Sequence, residues 1–432
     1  MRVAILGFGI EGQAAARYWA AKGAAITICD GNLSLEVPAV YASKLGTDYR
    51  EALDSFDLIV RSQSVRYSGD QTKVTSGIRE FFAQVSAPVI GITGTKGKGT
   101  TSTLIARILQ AAGKTVHLAG NIGRSPLEIL GEIKPTDIVV LELSSTQLLD
   151  LEYSPHIAVC LMIAPDHQDW HTDMDEYTRS KGNLFAHQKP SDIAIGKLGD
   201  ETSERLAALS PGKQLRYGMR PAARVESDRI VVGDTDIMGV DEVALLGAHN
   251  LENICAAITA TWDSIDHDIA VLKQAIMAFT GLEHRLECAG EVDGVKYYDD
   301  SFSTNPDTAI AAIKAFEADK VVILGGSSKK ASFDELAQIV EDHHVIHALL
   351  IGEEAPIIAK SLTKVGFTHF TIVKCTNMQQ LIDTAYQLTE PGDIVLLSPA
   401  CASFDLFKNY KVRGDQFHAA VHNMKERLDG QK

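Results

Sequence analysis

The sequence has few cysteines and no CxxC pair: Cys29, Cys160, Cys255, Cys288, Cys375 and Cys401 lie far apart in 432 residues. That spacing fits neither a clustered thiolate metal site nor the disulfide framework of a small secreted scaffold, so buried, reduced thiols are expected. Also missing is any uncharged apolar run approaching the roughly 18 residues needed to cross a bilayer. The opening Met1-Arg2-Val3-Ala4-Ile5-Leu6-Gly7 reads as a strand entering a glycine turn, without the basic and small-residue flanks of a signal peptide. A cytoplasmic protein with no membrane partner is expected. There is no collagen-like or disordered bias and no tandem repeat. Positive charge is in deficit, with Lys+Arg 41 against Asp+Glu 56 and a formal net charge of -15. This argues against a nucleic-acid partner and obliges anionic substrates to use local basic pockets.

What is present is a soluble globular composition, 45% hydrophobic and 22% charged. At about 150 residues per domain the length allows roughly three domains. Apolar runs followed by glycine turns and helical stretches recur along the whole chain, and the fold class expected is α/β with three Rossmann-like domains. The expected divisions are 1–88, 89–286 and 287–432, with a P-loop in the central domain.

The strongest local signal is Gly91-Ile92-Thr93-Gly94-Thr95-Lys96-Gly97-Lys98-Gly99-Thr100-Thr101, between the apolar Pro88-Val89-Ile90 and the helical Ser102 to Leu109. A strand, a glycine turn and a helix let backbone amides converge, the helix N-terminus adds positive potential, and lysine supplies a mobile charge. Gly94, Thr95, Lys96, Gly97, Lys98, Gly99 and Thr100 are therefore expected to cradle ATP phosphates. Ile92 and Gly99 depart from GxxxxGK[ST], so Thr100 or Thr101 must supply the hydroxyl that magnesium needs. An ordinary glycine-rich turn is the competing reading.

The first domain carries its own turn, Gly7-Phe8-Gly9-Ile10-Glu11-Gly12, after the strand Val3 to Leu6 and before a helix from Gln13 to Ala21. A second strand, Ala25 to Asp30, ends in an acid. On its own this pattern suggests NAD, although the same geometry serves any diphosphate, FAD and nucleotide sugars included. In the central domain the strand Ile138 to Leu141 ends at Glu142, placed to hold magnesium or, alternatively, to cap the next helix. The expected strand Ile157 to Ile163 runs into Asp166, His167 and His171, a candidate metal or catalytic loop. Helices are expected over Asp175 to His187, which contains Lys181, and over Ile254 to Thr261 after Gly247-Ala248-His249-Asn250-Leu251-Glu252-Asn253. The third domain shows strands Val321 to Gly326, Ala348 to Gly352 and Asp393 to Pro399, with polar clusters at Asp300 to Asn305, Ser327 to Lys330 and Ser398 to Ser403. Such strand-end clusters imply a ligand crevice.

Taken in order, GFGIEG, GITGTKGKGT, GNIG, LELSSTQL, Asp166-His167, GAHNLEN, GLEHR, DDSFSTN, LGGSSKK, LLSPACASFDLFKNY and RGDQF resemble the Mur ligases over essentially the whole chain. The resemblance implies an ATP-dependent ligase that adds glutamate to UDP-N-acetylmuramoyl-L-alanine through an acyl phosphate, with the first domain holding UDP rather than NAD. The D isomer is expected, with L-glutamate left open. Carried over, Lys98 contacts ATP phosphates, while Thr100, Glu142 and His167 serve two Mg2+ ions. Lys181 falls where the family carries a lysine carbamylated by CO2. Gly9, Asn121 and Ser144 are expected at the UDP-linked substrate, and Asn253, Arg285 and Asp300 at the nucleotide. Thr304, Lys329, Ser403 and Tyr410 are expected to hold the incoming glutamate. Phe302 stands where many members have lysine, and Tyr410 where phenylalanine is common. A monomer is expected. An NAD-dependent oxidoreductase would leave the phosphate turn idle, and a simple nucleotide switch would leave the third domain unexplained.

Overall fold

The computed structural model describes residues 1–432 except Gly123, Asp169, Leu246, Lys329, Lys330, Cys375, Thr376, Gln431 and Lys432, and at Ala248 the backbone alone. The chain forms two compact units, Met1–Phe279 and Thr280–Lys432.

The first unit opens with strands β1 (Arg2–Leu6), β2 (Ala25–Asp30), β3 (Ala42–Leu45), β4 (Leu58–Arg61) and β5 (Val74–Ser76). They pair in parallel in the order β3-β2-β1-β4-β5. Strands covered on both faces must be apolar throughout, and Val3, Ala4, Ile5 and Leu6 are fully buried. The next sheet comprises β6 (Val89–Thr93), β7 (Val116–Gly120), β8 (Ile138–Glu142), β9 (Ile157–Cys160), β10 (Ile193–Lys197) and β11 (Lys213–Tyr217). Its order, β11-β10-β9-β6-β8-β7, puts β6 between β9 and β8, where the strand order reverses and α/β sheets collect ligands. An antiparallel meander follows, β12 (Ala223–Glu226), β13 (Arg229–Val232) and β14 (Thr235–Gly239).

These first two sheets share one hydrophobic cluster that runs from Val3 and Ile28 through Phe81 and Leu127 to Leu141 and Phe185. Arg61, itself buried, adds a two-pronged contact to Asp150 at 2.6 and 2.8 Å. A buried bidentate pair fixes geometry, because removing one partner strands the other charge.

The second unit holds β15 (Glu287–Val292), β16 (Val295–Asp299), β17 (Lys320–Gly325), β18 (Val345–Ile351), β19 (Phe370–Ile372) and β20 (Ile394–Leu397), ordered β15-β16-β20-β17-β18-β19. Only β15 runs antiparallel among the described strands of this sheet, as one arm of a hairpin with β16. The last helix, Tyr410–Asp429, is capped by the Asn409 side chain.

Several expected boundaries shift. The helix expected from Gln13 begins at Ile10, the one expected from Ile254 begins at Ala248, and Lys181 rides a helix spanning Met174–Ala186. The strand expected to reach Ile163 stops at Cys160. Its continuation turns to the phosphate loop instead: the Met162 carbonyl accepts from the Thr95 amide at 2.8 Å, and the Ala164 amide donates to the Thr95 hydroxyl at 2.9 Å.

Candidate active site

The phosphate turn is built as its residue types require. β6 is buried end to end, and the helix Lys98–Ala111 starts directly after Gly97. Gly94 (φ +151°) and Gly97 (φ +85°) lie in the positive-φ region that favours glycine. A Cβ on Gly94 would lie 2.7 Å from that of Leu161, and one on Gly97 2.3 Å from Asn253 Oδ1. Thr95 does not face the cradle with its polar groups. Its amide is bound to Met162, and its hydroxyl donates to the Ala164 carbonyl at 3.0 Å and meets the Tyr177 hydroxyl at 2.8 Å. Its part is to hold the loop against the segment after β9. Lys98 folds back on the loop, donating to the Gly94 and Thr95 carbonyls at 3.0 Å each. Lys96 is exposed and lies 3.7 Å from Asp166.

Lys181 reaches the same carbonyl from another helix: its Nζ donates to Gly94 O at 2.9 Å and to the Thr93 hydroxyl at 3.4 Å, with the Tyr177 ring 4.6 Å away. The residue is only 1% exposed. Burial, reinforced by the charge on Lys98, pushes its amine down to about 7. Among the described residues no carboxylate comes within ion-pair distance of it. Glu142 ends β8, next to β6, and its buried carboxylate accepts from the Asn121 side chain at 2.9 Å. Asn121 thus orients Glu142 in addition to any contact with substrate.

The two candidate hydroxyls separate clearly. Thr101 is fully buried and donates to Asn253 Oδ1 at 3.3 Å, whereas Thr100 makes no side-chain hydrogen bond among the described residues. Thr100 is therefore the hydroxyl available at the loop. Asn253 packs on Gly97 and is steadied by Asn250 at 3.0 Å. His167 is exposed, adopts φ +51°, and takes the Asp166 carboxylate on its amide at 3.0 Å.

At the leading turn, Gly7 faces Ser62 so closely that a Cβ would lie 2.2 Å from the hydroxyl, and Gly12 packs on the Gly7 carbonyl. Gly9 faces open space. Asp30, the acid that favoured NAD, is occupied by the chain itself, accepting from the amides of Phe8 at 2.8 Å and Asn32 at 2.9 Å. Ser144 caps the short helix Ser145–Leu148 and donates to the Gln63 side-chain Oε1 at 3.1 Å, tying the loop after β4 to the end of β8.

A linked set joins His171, in the loop expected to be metal-binding or catalytic, to partners that the sequence did not single out. His171 lies 2.9 Å from the Ser145 hydroxyl and 3.3 Å from Glu176, which pairs with Arg66. Burial lowers the His171 imidazole pKa, with a partial opposing pull from Glu176. Burial works against ionisation of Glu176, but the Thr172 amide and Arg66 hold its carboxyl at about 2. Arg66 also lies over the Trp170 ring at 4.5 Å. The clustered Asp and His after β9 signalled this loop, but nothing in the sequence pointed to its partners.

In the second unit Asp300 follows β16, 2% exposed, and accepts from the Ser398 hydroxyl at 2.7 Å. Burial raises its carboxyl to about 7 despite hydrogen bonds from Ser303 and Ser398 and the nearby Arg285. Arg285 lies 5.3 Å over the Phe302 ring, and Phe302 meets Tyr410 edge-on at 5.3 Å. Buried Arg413 fastens this corner, donating to the Ser301 hydroxyl at 2.8 Å and to the Ser301 and Cys401 carbonyls. RGDQF contained the arginine, but its fully buried position depends on packing. Ser403 is buried and Thr304 half-buried. Lys329 lies outside the described residues.

A phosphate turn at the switch point of a parallel sheet, followed by a second α/β unit with polar strand ends, defines a nucleotide-using α/β architecture. Residues 92–261 match the Mur ligase middle domain, and residues 284–401 the Mur ligase glutamate ligase domain. The chain is 34% identical to the UDP-N-acetylmuramoylalanine--D-glutamate ligase of Acetivibrio thermocellus, covering 98% of this chain and 96% of that protein. It is 36% identical to the ligase of the same name from Symbiobacterium thermophilum, covering 97% of each. The chain belongs to the Mur ligase family. Its fold is similar to the UDP-N-acetylmuramate-alanine ligase of Thermotoga maritima (TM-score 0.60, 16% identity, 98% of this chain and 100% of that one). It is also similar to folylpolyglutamate synthase of Mycobacterium tuberculosis, solved with ADP and AMPPCP (TM-score 0.57, 16% identity, 79% and 91%).

Proposed function

We propose that the protein is an ATP-dependent ligase of peptidoglycan precursor synthesis that joins D-glutamate to UDP-N-acetylmuramoyl-L-alanine. The observation that carries this reading is the meeting of Lys98 and Lys181 on the Gly94 carbonyl, with Glu142 at the end of the neighbouring strand. The names of the full-length relatives support the substrate pair. No comparable support exists for an NAD-dependent oxidoreductase.

A carboxylate is a poor acyl donor, so the alanyl carboxylate oxygen attacks the terminal phosphorus of ATP and ADP departs. The glutamate amine then attacks the acyl carbon, phosphate leaves, and the amine gives up a proton. Lys98, released from the two loop carbonyls, supplies charge to the transferring phosphoryl group. The carboxylate of Glu142, the hydroxyl of Thr100 and the imidazole of His167 are the donors we assign to Mg2+, a hard cation that oxygen ligands suit. Bound there, magnesium would offset the repulsion between the anionic reactants.

Lys181 completes the set only after modification. Its ammonium would repel a cation, but an amine pushed down to about 7 is substantially neutral at physiological pH and can add to CO2. The product would be a carbamate and a proton, and the carbamate would supply an anionic oxygen ligand for a second magnesium. Asn253, Arg285 and Asp300 are assigned to the nucleotide, and Gly9, Asn121 and Ser144 to the UDP-linked substrate. Thr304, Lys329, Ser403 and Tyr410 are assigned to glutamate, for which one cation and several hydroxyls suit a short dicarboxylate. We place the protein in the cytoplasm with its substrates; among the described residues no helix is long and apolar enough to cross a membrane.

The test is phosphate release from ATP with UDP-N-acetylmuramoyl-L-alanine and a panel of amino acids. Release that requires both the UDP-linked substrate and D-glutamate is expected. Preference for L-glutamate would overturn the stereochemical assignment, preference for lysine or diaminopimelate the acceptor pocket, and release without either co-substrate the ligase reading.

A further inference from the structure

Outside the phosphate-turn site, the described residues bring together four side chains with metal-binding atoms. Donor atoms of His284, Glu287, Asp299 and His418 all lie within 4.8 Å of one another. The hairpin creates the problem that a cation would solve. In its register Glu287 stands opposite Asp299, so two carboxylates face each other across neighbouring strands, a pairing that is unfavourable without positive charge between them. Asp299 is fully buried.

The last helix brings the third group. His418 Nε2 lies 3.3 Å from Asp299 Oδ2 and 3.6 Å from Glu287 Oε2. It is buried as an atom yet aligned for a hydrogen bond with neither. Tetrahedral ligands at zinc bond lengths are separated by about 3.4 Å, so one ion can satisfy this nitrogen and both carboxylates together. His284 supports the set from outside, with Nδ1 2.7 Å from Asp299 Oδ2. That is the histidine–carboxylate arrangement that orients a ligating oxygen. The helix leaves the space free at Gly414, where a Cβ would lie 2.1 Å from His284 Nδ1 and 2.5 Å from Asp299 Oδ2.

The geometry points to a structural site for a divalent transition ion of the Zn2+ class, with His418 Nε2, Asp299 Oδ2 and Glu287 Oε2 as ligands and His284 as the outer partner of Asp299. Imidazole with two carboxylates favours zinc, cobalt or manganese over magnesium. The ion ties the β15–β16 hairpin to the last helix, next to Arg285. This site is independent of the ligase reading and of the donors around Lys98 and Glu142.

The experiment titrates Co2+ into the full-length protein with magnesium in large excess, so that the phosphate-turn donors are already satisfied. One equivalent should give the visible absorption of low-coordinate cobalt, Zn2+ should abolish it by displacement, and either ion should raise the melting temperature by ligand linkage. His418→Gln and Glu287→Gln, both at partly exposed positions, should each lose the absorption and the shift, whereas Lys98→Ala should keep them. Absence of cobalt absorption in the unaltered protein would overturn the proposal and leave the two histidines as simple proton-bearing partners of Asp299. Binding that persists in both variants would overturn it equally.

Discussion

The first unit uses the strand, glycine turn, helix pattern twice, and the two copies carry opposite charge. After β1, acids occupy the turn: Asp30 takes the Phe8 amide, and Glu11 takes the Gln63 amide at 3.1 Å and the Gln147 side chain at 2.5 Å. After β6, lysines occupy it, with Lys98 and Lys181 sharing the Gly94 carbonyl at 3.0 and 2.9 Å. Both turns need glycine for close approach, as the crowding at Gly12 and Gly97 shows. The backbone pattern therefore defines a shape, and the side chains around it decide what charge that shape can hold. An acid-lined turn whose acids are already satisfied can pack a substrate against neutral amides. A lysine-lined turn is prepared for several phosphate charges.

The largest test of this contrast is Lys98→Ala. Loss of the mobile charge at the second turn should lower turnover by about a hundred- to a thousand-fold, with circular dichroism and melting temperature nearly unchanged, since its bonds to the Gly94 and Thr95 carbonyls are local to the loop. Near-normal phosphate release would erase the difference between the two turns.

Lys181 comes next. Its replacement by methionine should remove most activity, and protein equilibrated with 13CO2 should give a carbamate NMR signal absent from Lys181→Met. A free amine in the active, magnesium-bound enzyme would refute the carbamate. The unmodified amine also makes a stability prediction in CO2-free, magnesium-free buffer. Its folded pKa of about 7 lies below the ordinary lysine value of 10.5, so between these values the unfolded chain binds more protons. Stability should therefore rise with pH from about 7 to about 10.5. Urea midpoints across that range should show the rise, and Lys181→Met should flatten it.

Smaller effects separate the adjacent threonines. Thr100→Val should raise the magnesium requirement about ten-fold, the worth of roughly 1.4 kcal/mol. Thr101→Val should leave that requirement alone and cost about 1 kcal/mol of stability through its lost bond to Asn253. Equal magnesium dependence in both variants would remove Thr100 from the site.

The smallest effect belongs to the first turn. Asp30→Asn keeps an acceptor for the Phe8 amide, so KM for the UDP-linked substrate should rise by less than about ten-fold, with KM for ATP unchanged. Titration with NADH should give no nucleotide-dependent fluorescence change in either protein. NADH binding that Asp30→Asn weakens would return the first turn to a dinucleotide site.

Much of this was legible before the fold was known, because parallel strands and glycine turns are written locally. β2 falls on the residues expected, and Glu142 and Lys98 end and follow strands as their flanking apolar runs implied. Less local features were not legible. The meander Ala223–Gly239 is made of strands of only four or five residues, and the strand after Ile157 ends early because Met162 and Ala164 bond to Thr95 rather than to a neighbouring strand. From sequence, Thr100 and Thr101 were interchangeable, and a single turn of helix decided between them by burying one against Asn253.

The sequence by itself determined the alternation of apolar runs and glycine turns, the lysines of the second turn and the family to which the chain belongs. Each rests on short local motifs or on their order along the chain, neither of which requires the fold. Tertiary structure decided that Asp30 and Glu11 are spent on amides of their own unit, that Lys181 loses its surrounding water on the Gly94 carbonyl, and that Glu287, Asp299 and His418 converge. Desolvation and the meeting of distant groups are properties of packing, and a lysine's pKa or a carboxylate's partner is fixed only when the elements that bury it are in place.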